Sequence, residues 1–258
     1  MPADQCDPNS VARVAGLVLA AGAGRRYGMP KALVPYEGRL LVERAYRLVA
    51  SVCDPVVVVL GAAADEVRSR AELGDAVVVL NPGWDSGMGS SLRTGLAALT
   101  ALSGDSPQDR QSADLAPAPG GLRHDPQSAD VVPAPGGLPQ NHQSANLAPA
   151  SSGSRLDRRS ERWPEPIDAV LVHLVDLPGM TVAALRRVAA AATPQVLAVA
   201  SYGGVRGHPV LLGRTHWAGV AETATGDQGA RGYLAAHEVT EIECADVADP
   251  VDLDYPPP

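Results

Sequence analysis

The chain has 258 residues, a formal net charge of −8 and 45% hydrophobic residues, enough apolar material for one α/β domain or two small ones. No apolar run reaches the length of a membrane span, and the acidic balance argues against general nucleic-acid binding, which needs a basic footprint. The opening MPADQCDPNS pairs no basic region with an apolar run, so no secretory signal is read there and the cytoplasm is the expected location. Cys6, Cys53 and Cys244 are far apart and form no CxxC pair, which points to neither a zinc site nor a disulfide framework.

In chain order, residues 1–12 are expected to be disordered. Strand-length apolar runs then recur at Val14–Ala20, Pro55–Leu60, Ala76–Leu80, Ala169–Val175 and Val196–Ser201. They are rich in Val and Leu and show no polar alternation, as strands buried on both faces do. Amphipathic helical segments separate them at Leu40–Ala50, Ala63–Leu73, Ser90–Leu102 and Val182–Ala192. This alternation predicts a three-layer α/β/α fold around a mostly parallel sheet. Further on, the pattern predicts a short run at Pro209–Leu212 and helices near Thr215–Thr223 and Gly229–Ala236. A strand at Val239–Cys244 and a loose DYPPP tail follow.

Residues 104–166 break the pattern. They are rich in Pro, Gly, Ser, Gln and Asp, and contain a repeat that begins at Gln111, Gln127 and Gln143, a spacing of 16 residues. Each unit has too few aliphatic side chains to bury a stacking face. The segment therefore reads as a disordered insertion within one domain formed by residues 13–103 and 167–254.

Three segments each follow a strand, and in such sheets ligands bind beyond the carboxyl ends of the strands. The first is LAAGAGRRYGMPKAL, from Leu19 to Leu33. Its Gly22, Gly24 and Gly28 allow sharp turns and close approach to a ligand. Its backbone N–H groups, with Arg25, Arg26 and Lys31, supply donors and charge for phosphate oxygens. The spacing fits neither a Walker loop nor the dinucleotide fingerprint: Lys31 follows Pro30, and the third Gly comes one residue late. In the second segment, Asn81-Pro82-Gly83 is turn chemistry, and Ser90 or Ser91 is placed to cap the next helix. In the third, Asp176 ends a hydrophobic strand before Pro178. A carboxylate there is either a Mg²⁺ ligand facing the crevice or a cap for the helix near Thr181. His173, inside the apolar run, reads as a core histidine with its hydrogen bonds satisfied.

The string from Leu19 to Lys31 resembles the signature of the MobA-like nucleotidyltransferases, approximately L-A-[AG]-G-x-[GS]-x-R-M-G-x-x-K, with Tyr27 where Met is usual. The NPGWDSGMGSSLR segment and Asp176-Leu177-Pro178 are similar to further family motifs. So are Gly207-His208-Pro209 and Gly226-Asp227-Gln228-Gly229-Ala230-Arg231. The resemblance implies a GT-A-like fold and an NTP held by Leu19, Ala20, Ala21, Gly22, Gly24, Arg25, Arg26 and Lys31, with Ser90 and Ser91 lining the pocket. It implies catalytic roles for Lys31, Arg25 and Asp176, with Mg²⁺ on Asp176, and acceptor contacts from Arg93, His208 and Arg231. Ala20-Ala21-Gly22 is similar to the cytidylyl branch, which favours CTP, a phosphorylated acceptor such as molybdopterin, and a molybdoenzyme as eventual recipient. Relatives often end in D-I-D-T-P-E-D-L; here Ala248 replaces the central Asp, so Asp246 or Asp249 is expected to supply a second metal ligand. Two other readings share the resemblance: an NAD(P)H-dependent oxidoreductase of the nicotine blue type, and a non-catalytic nucleotide or cofactor binder.

Overall fold

A computed structural model describes residues 12–103 and 166–255. The expected disorder at the N-terminus and in the repeat-bearing insertion falls almost wholly outside them. Nine strands are described: β1 (Val14–Ala20), β2 (Pro35–Tyr36), β3 (Arg39–Leu40), β4 (Val56–Leu60), β5 (Val77–Leu80), β6 (Ala169–Leu174), β7 (Leu197–Tyr202), β8 (Val205–Gly213) and β9 (Thr240–Glu243). The described helices are α1 (Leu41–Ala50), α2 (Ala64–Arg70), α3 (Met88–Leu102), α4 (Val182–Ala189), α5 (Trp217–Thr223) and α6 (Arg231–Ala235). None of them is long and apolar enough to cross a membrane.

The main sheet has seven strands in the order β5-β4-β1-β6-β8-β7-β9, and β2 with β3 forms a separate small hairpin. Strands β5, β4, β1 and β6 run parallel. Their carboxyl ends therefore share one edge of the sheet, and the segments after Ala20, Leu60, Leu80 and Leu174 leave from it together. β8 is antiparallel to both β6 and β7, with Val172 opposite Val210. The sheet is mostly parallel, as expected, but the short run read at Pro209–Leu212 is the buried half of a nine-residue strand. Its first half, Val205–His208, is polar or exposed and carries no apolar signal, so periodicity could not find it. The reversal matters for the site: it brings His208, from the amino-terminal half of β8, toward the carboxyl end of β6.

Side chains alternate between two cores. Val18, Ala20, Leu171 and Leu211 pack under α1 and α4, whereas Leu17, Leu19, Val170 and Leu212 pack under α3 and α5. In α3, Leu92, Leu96 and Leu99 follow one another at helical spacing and are all buried. Gly95 faces β1, where a Cβ would collide with the Leu17 side chain, so a glycine lets this helix lie close on the central strand. On the same face the Trp217 indole donates to the Leu212 carbonyl at 2.9 Å, which fixes the start of α5 against β8. At its buried edge each Leu or Val contributes about 1.5–3 kcal/mol of transfer free energy, so this double-sided packing is the main source of rigidity behind the site.

Candidate active site

A cleft of about 370 Å³ opens at the carboxyl edge of the sheet, lined by the segment after β1, the start of α3 and the end of β6. The first wall depends on Gly24. Its φ is +60°, and a Cβ there would fall inside the van der Waals shell of the Met29 carbonyl oxygen. The loop folds over itself at this point, and the Gly28 amide donates to the Gly24 carbonyl at 2.9 Å. That turn delivers Lys31 to the floor of the cleft.

The Lys31 ammonium donates to Asp176 Oδ2 at 2.7 Å and to Asp254 Oδ1 at 2.7 Å. These side chains are 14%, 18% and 30% exposed, so the trio is shielded without being sealed. Burial pulls the Lys31 pKa down, but the hydrogen bonds and charges of Asp176 and Asp254 more than offset it and the net shift is upward. The Asp254 carboxyl is held below its usual range, first by its hydrogen bond from Lys31. Arg26 reaches the other Asp254 oxygen at 3.1 Å. Arg25 also lines the cleft and is exposed, with no hydrogen bond or ion pair to another described residue. The segment after Asp176 is braced by Arg44 from α1, whose guanidinium donates to the Pro178 carbonyl at 2.8 Å and lies over the Tyr36 ring.

Three carboxylates, Asp176, Asp252 and Asp254, each offer an oxygen within 4.8 Å of the others. All-oxygen donors of this kind suit a hard divalent ion such as Mg²⁺ or Mn²⁺, and the Lys31 ammonium between two of them shows that the position tolerates positive charge. Asp252 and Asp254 were not among the expected ligands. Asp246 forms a two-pronged pair with Arg187, at 2.5 and 2.9 Å, on the exposed end of α4. Asp249 accepts from the Val251 amide at 3.0 Å and abuts Gly179. Neither belongs to the carboxylate group with Asp176. Asp254, the first residue of the DYPPP tail read as loose, is held by Lys31, and just before it the Leu253 amide donates to the Asp176 carbonyl at 2.9 Å. The sequence signal that was available is the row of acids at 246, 249, 252 and 254; choosing among them required the path of the chain.

The other expected nucleotide contacts divide. Leu19, Ala21, Gly22, Gly24, Arg25, Arg26, Lys31, Ser91 and Asp176 line the cleft. Ala20 points into the opposite core beneath α1. Ser90 is committed to the loop: it accepts from Asn81 Nδ2 at 2.8 Å, and its own hydroxyl lies within 2.9 Å of the Gly83 and Gly87 carbonyls. Asn81, 4% exposed, also donates to Ser91 Oγ at 3.0 Å and so organises the whole turn. The helix starts at Met88 with Gly87 as its cap, so neither serine caps it. Trp84, Asp85, Met88 and Asp227 also line the cleft, and only their place in quoted motifs marked them beforehand.

Of the expected acceptor contacts, Arg93 donates to the Ala224 carbonyl and ties α3 to the end of α5. His208 and Arg231 instead line a second, smaller cavity of about 50 Å³ that shares Leu19 and Met88 with the main cleft. Burial lowers the His208 pKa, so its imidazole is neutral near pH 7. On β6, His173 is 1% exposed and its Nδ1 has no hydrogen-bond partner among the described residues, contrary to the expectation of a satisfied core histidine. Burial, with a smaller contribution from His208, pushes its pKa down to about 3.

A MobA-like NTP transferase domain matches residues 16–241. A protein named nicotine blue oxidoreductase from Paenarthrobacter nicotinovorans is 31% identical over 252 residues, 93% of this chain and 92% of its own. A molybdenum cofactor guanylyltransferase from Rhodobacter capsulatus is 40% identical over 86 residues, 33% of this chain and 42% of that one. Among solved structures, Rv0371c from Mycobacterium tuberculosis H37Rv shares the fold with a TM-score of 0.60 at 22% identity, over 95% of each chain. A manganese complex of Rv0371C gives a TM-score of 0.52 at 23% identity, over 90% of this chain and 88% of that one. With the signature segment lining the cleft and the family domain spanning both sides of the insertion, the chain belongs to the MobA-like NTP transferase family.

Proposed function

We propose that the protein transfers a nucleotidyl group from an NTP, with CTP preferred, to a phosphorylated acceptor. The observation that carries this reading is the meeting of Lys31 and Asp176 at 2.7 Å on the floor of a glycine-walled cleft. The two groups come from the first and third segments, and each is suited to one half of a metal–triphosphate complex. The NTP lies along the Gly22–Lys31 loop, where backbone N–H groups and the free guanidinium of Arg25 meet the β- and γ-phosphates. As the triphosphate arrives, Lys31 leaves Asp176 and Asp254 and pairs with phosphate oxygens.

Asp176, Asp252 and Asp254 are the residues that would hold a divalent ion, Mg²⁺ by preference, which when bound would supply Lewis-acid stabilisation of charge at the α-phosphate. Lys31 and the carboxylates would thus trade partners, each keeping an opposite charge beside it. An acceptor phosphate oxygen attacks the α-phosphorus, the bond from that phosphorus to the bridging oxygen breaks, and the electron pair leaves on pyrophosphate. An attacker that is already anionic needs no general base, so the residues act by positioning and charge stabilisation. Molybdopterin fits the acceptor description, and the molybdenum cofactor guanylyltransferase among the relatives supports it. The manganese complex of Rv0371C supports a divalent ion.

The full-length similarity to a nicotine blue oxidoreductase favours a second reading, NAD(P)H-dependent reduction on the same scaffold. A thermal-shift screen of CTP, GTP, ATP and NADPH, each with and without Mg²⁺, separates the two. Nucleotidyl transfer requires stabilisation by an NTP that depends on Mg²⁺, greatest for CTP, followed by pyrophosphate release when acceptor is added. Stabilisation by NADPH alone, with NADPH oxidation, would replace the transferase reading with the second one.

A further inference from the structure

We infer that the small cavity beside the cleft seats the uncharged, apolar edge of the acceptor and selects one that carries an N–H or O–H toward His208. The inference rests on the proposed transferase function for the word acceptor, but the cavity's chemistry is argued independently. Val172, Leu212 and Leu234 form its walls, and Leu19 and Met88 are shared with the main cleft, so a ligand group can occupy both spaces at once. The walls favour apolar surface and penalise a buried charge that lacks a partner.

Gln228, Arg231 and His208 are the polar side chains that line this cavity, and among them His208 has a protonation pattern fixed by its neighbour. Its Nδ1 lies 3.4 Å from the Val172 carbonyl, which can only accept, so Nδ1 carries the proton. Burial keeps the ring neutral, which leaves Nε2 as an acceptor. Nε2 makes no hydrogen bond within the described residues and is not sealed from solvent, so it is open to accept from a ligand donor. Arg231 is exposed at the start of α6 and lines the same cavity, where it meets an anionic substituent near the rim. At about 50 Å³ the cavity takes the edge of a small planar group; the remainder of the acceptor extends into the cleft of about 370 Å³.

Pyrrole-2-carboxylate and furan-2-carboxylate test this directly. They match in size and charge, and only the first has an N–H donor. Binding of each to the full-length protein is measured by NMR titration without nucleotide. Pyrrole-2-carboxylate is expected to bind tighter by roughly 2- to 10-fold, the range of one neutral hydrogen bond. His208→Phe removes that preference, His208→Gln keeps it through its side-chain carbonyl, and Arg231→Ala weakens both compounds alike. Far-UV circular dichroism and melting temperature check that each variant is folded. Equal affinities in the unsubstituted protein, a preference that survives in His208→Phe, or no binding of either compound overturns the inference. Because nucleotide is absent from the titration, failure of NTP binding in the thermal-shift screen would remove the transferase reading without touching this result.

Discussion

The two ends of the cleft solve opposite electrostatic problems. At the charged end, Lys31, Arg26, Asp176 and Asp254 already satisfy one another through ion pairs, so a ligand enters by exchanging partners. At the other end, a neutral imidazole sits in a mostly apolar wall with an acceptor that no described residue engages, so a ligand enters by filling space and supplying a donor. The first end is suited to a charged, metal-bound group that must be gripped and released. The second is suited to discrimination, because a ligand that displaces water there without supplying a donor leaves the imidazole acceptor unpaired. On the proposed reading, chemistry and selection fall to neighbouring spaces of different polarity.

The largest expected effect comes from removing the cation that the charged end shares out. Lys31→Ala should lower turnover by roughly 10²–10³-fold, the usual cost of losing one preorganised charge-stabilising donor. The same variant leaves Asp176, Asp252 and Asp254 facing one another without their ammonium, so Mn²⁺ should bind at least as tightly as before, read by isothermal titration. Lost turnover with retained metal binding identifies Lys31 as a phosphate partner. Loss of both would mean that the lysine holds the carboxylates in place and that the proposed exchange does not occur.

Acid titration separates the charged end from the buried histidine of β6 by the pH at which each gives way. The His173 pKa is lowered to about 3, so the folded state resists a proton that the unfolded chain takes up near pH 6.5. The stability tied to its neutral form is complete above pH 6.5 and is lost as pH falls below that value toward 3. Between pH 7 and pH 5 this group alone should cost about 2 kcal/mol of unfolding free energy. His208 acts in the same direction. Asp254 has a depressed pKa, so its contribution persists above the ordinary carboxylate range and disappears only at lower pH. Urea unfolding at pH 7 and pH 5 should show His173→Leu losing less stability across that interval than the unsubstituted chain. Equal losses in the two proteins would show that the buried imidazole finds a partner the structure does not contain.

How much of this was legible in the sequence also differs between the two ends. The Val- and Leu-rich runs gave β1, β4, β5, β6 and β7 to within a residue or two, because strands buried on both faces have no polar positions to blur them. The glycine-rich loop and Asp176 were legible because each directly follows such a strand. The partners that complete the charged end were not. Asp254 meets Lys31 across 223 positions, and nothing local distinguishes it from Asp246 or Asp249. The dry end was harder still. His208 lies in the polar half of β8, and its environment is made by β6, α3 and α6 together. Burial of that kind is a property of packing, which a pattern along one strand does not encode.

The smallest expected effect tests how sharply the charged end is bounded. Asp246 has its carboxyl held below the ordinary range by Arg187, and both groups lie on the surface at the far end of α4. An exposed pair of this kind is screened by solvent and salt, so its removal changes little outside its own surroundings. Asp246→Ala should therefore leave the Mn²⁺ affinity and the turnover unchanged, with at most a slight drop in melting temperature. Asp252 and Asp254 differ from it because the Leu253 amide between them is fastened to the Asp176 carbonyl, which carries both carboxylates to the cleft. If Asp246→Ala weakened Mn²⁺ binding, the terminal segment would have to adopt a second path in solution, one that frees Asp246 from Arg187 and brings it to Asp176. The division between a charged end made of three fixed carboxylates and a remote surface pair would then fail.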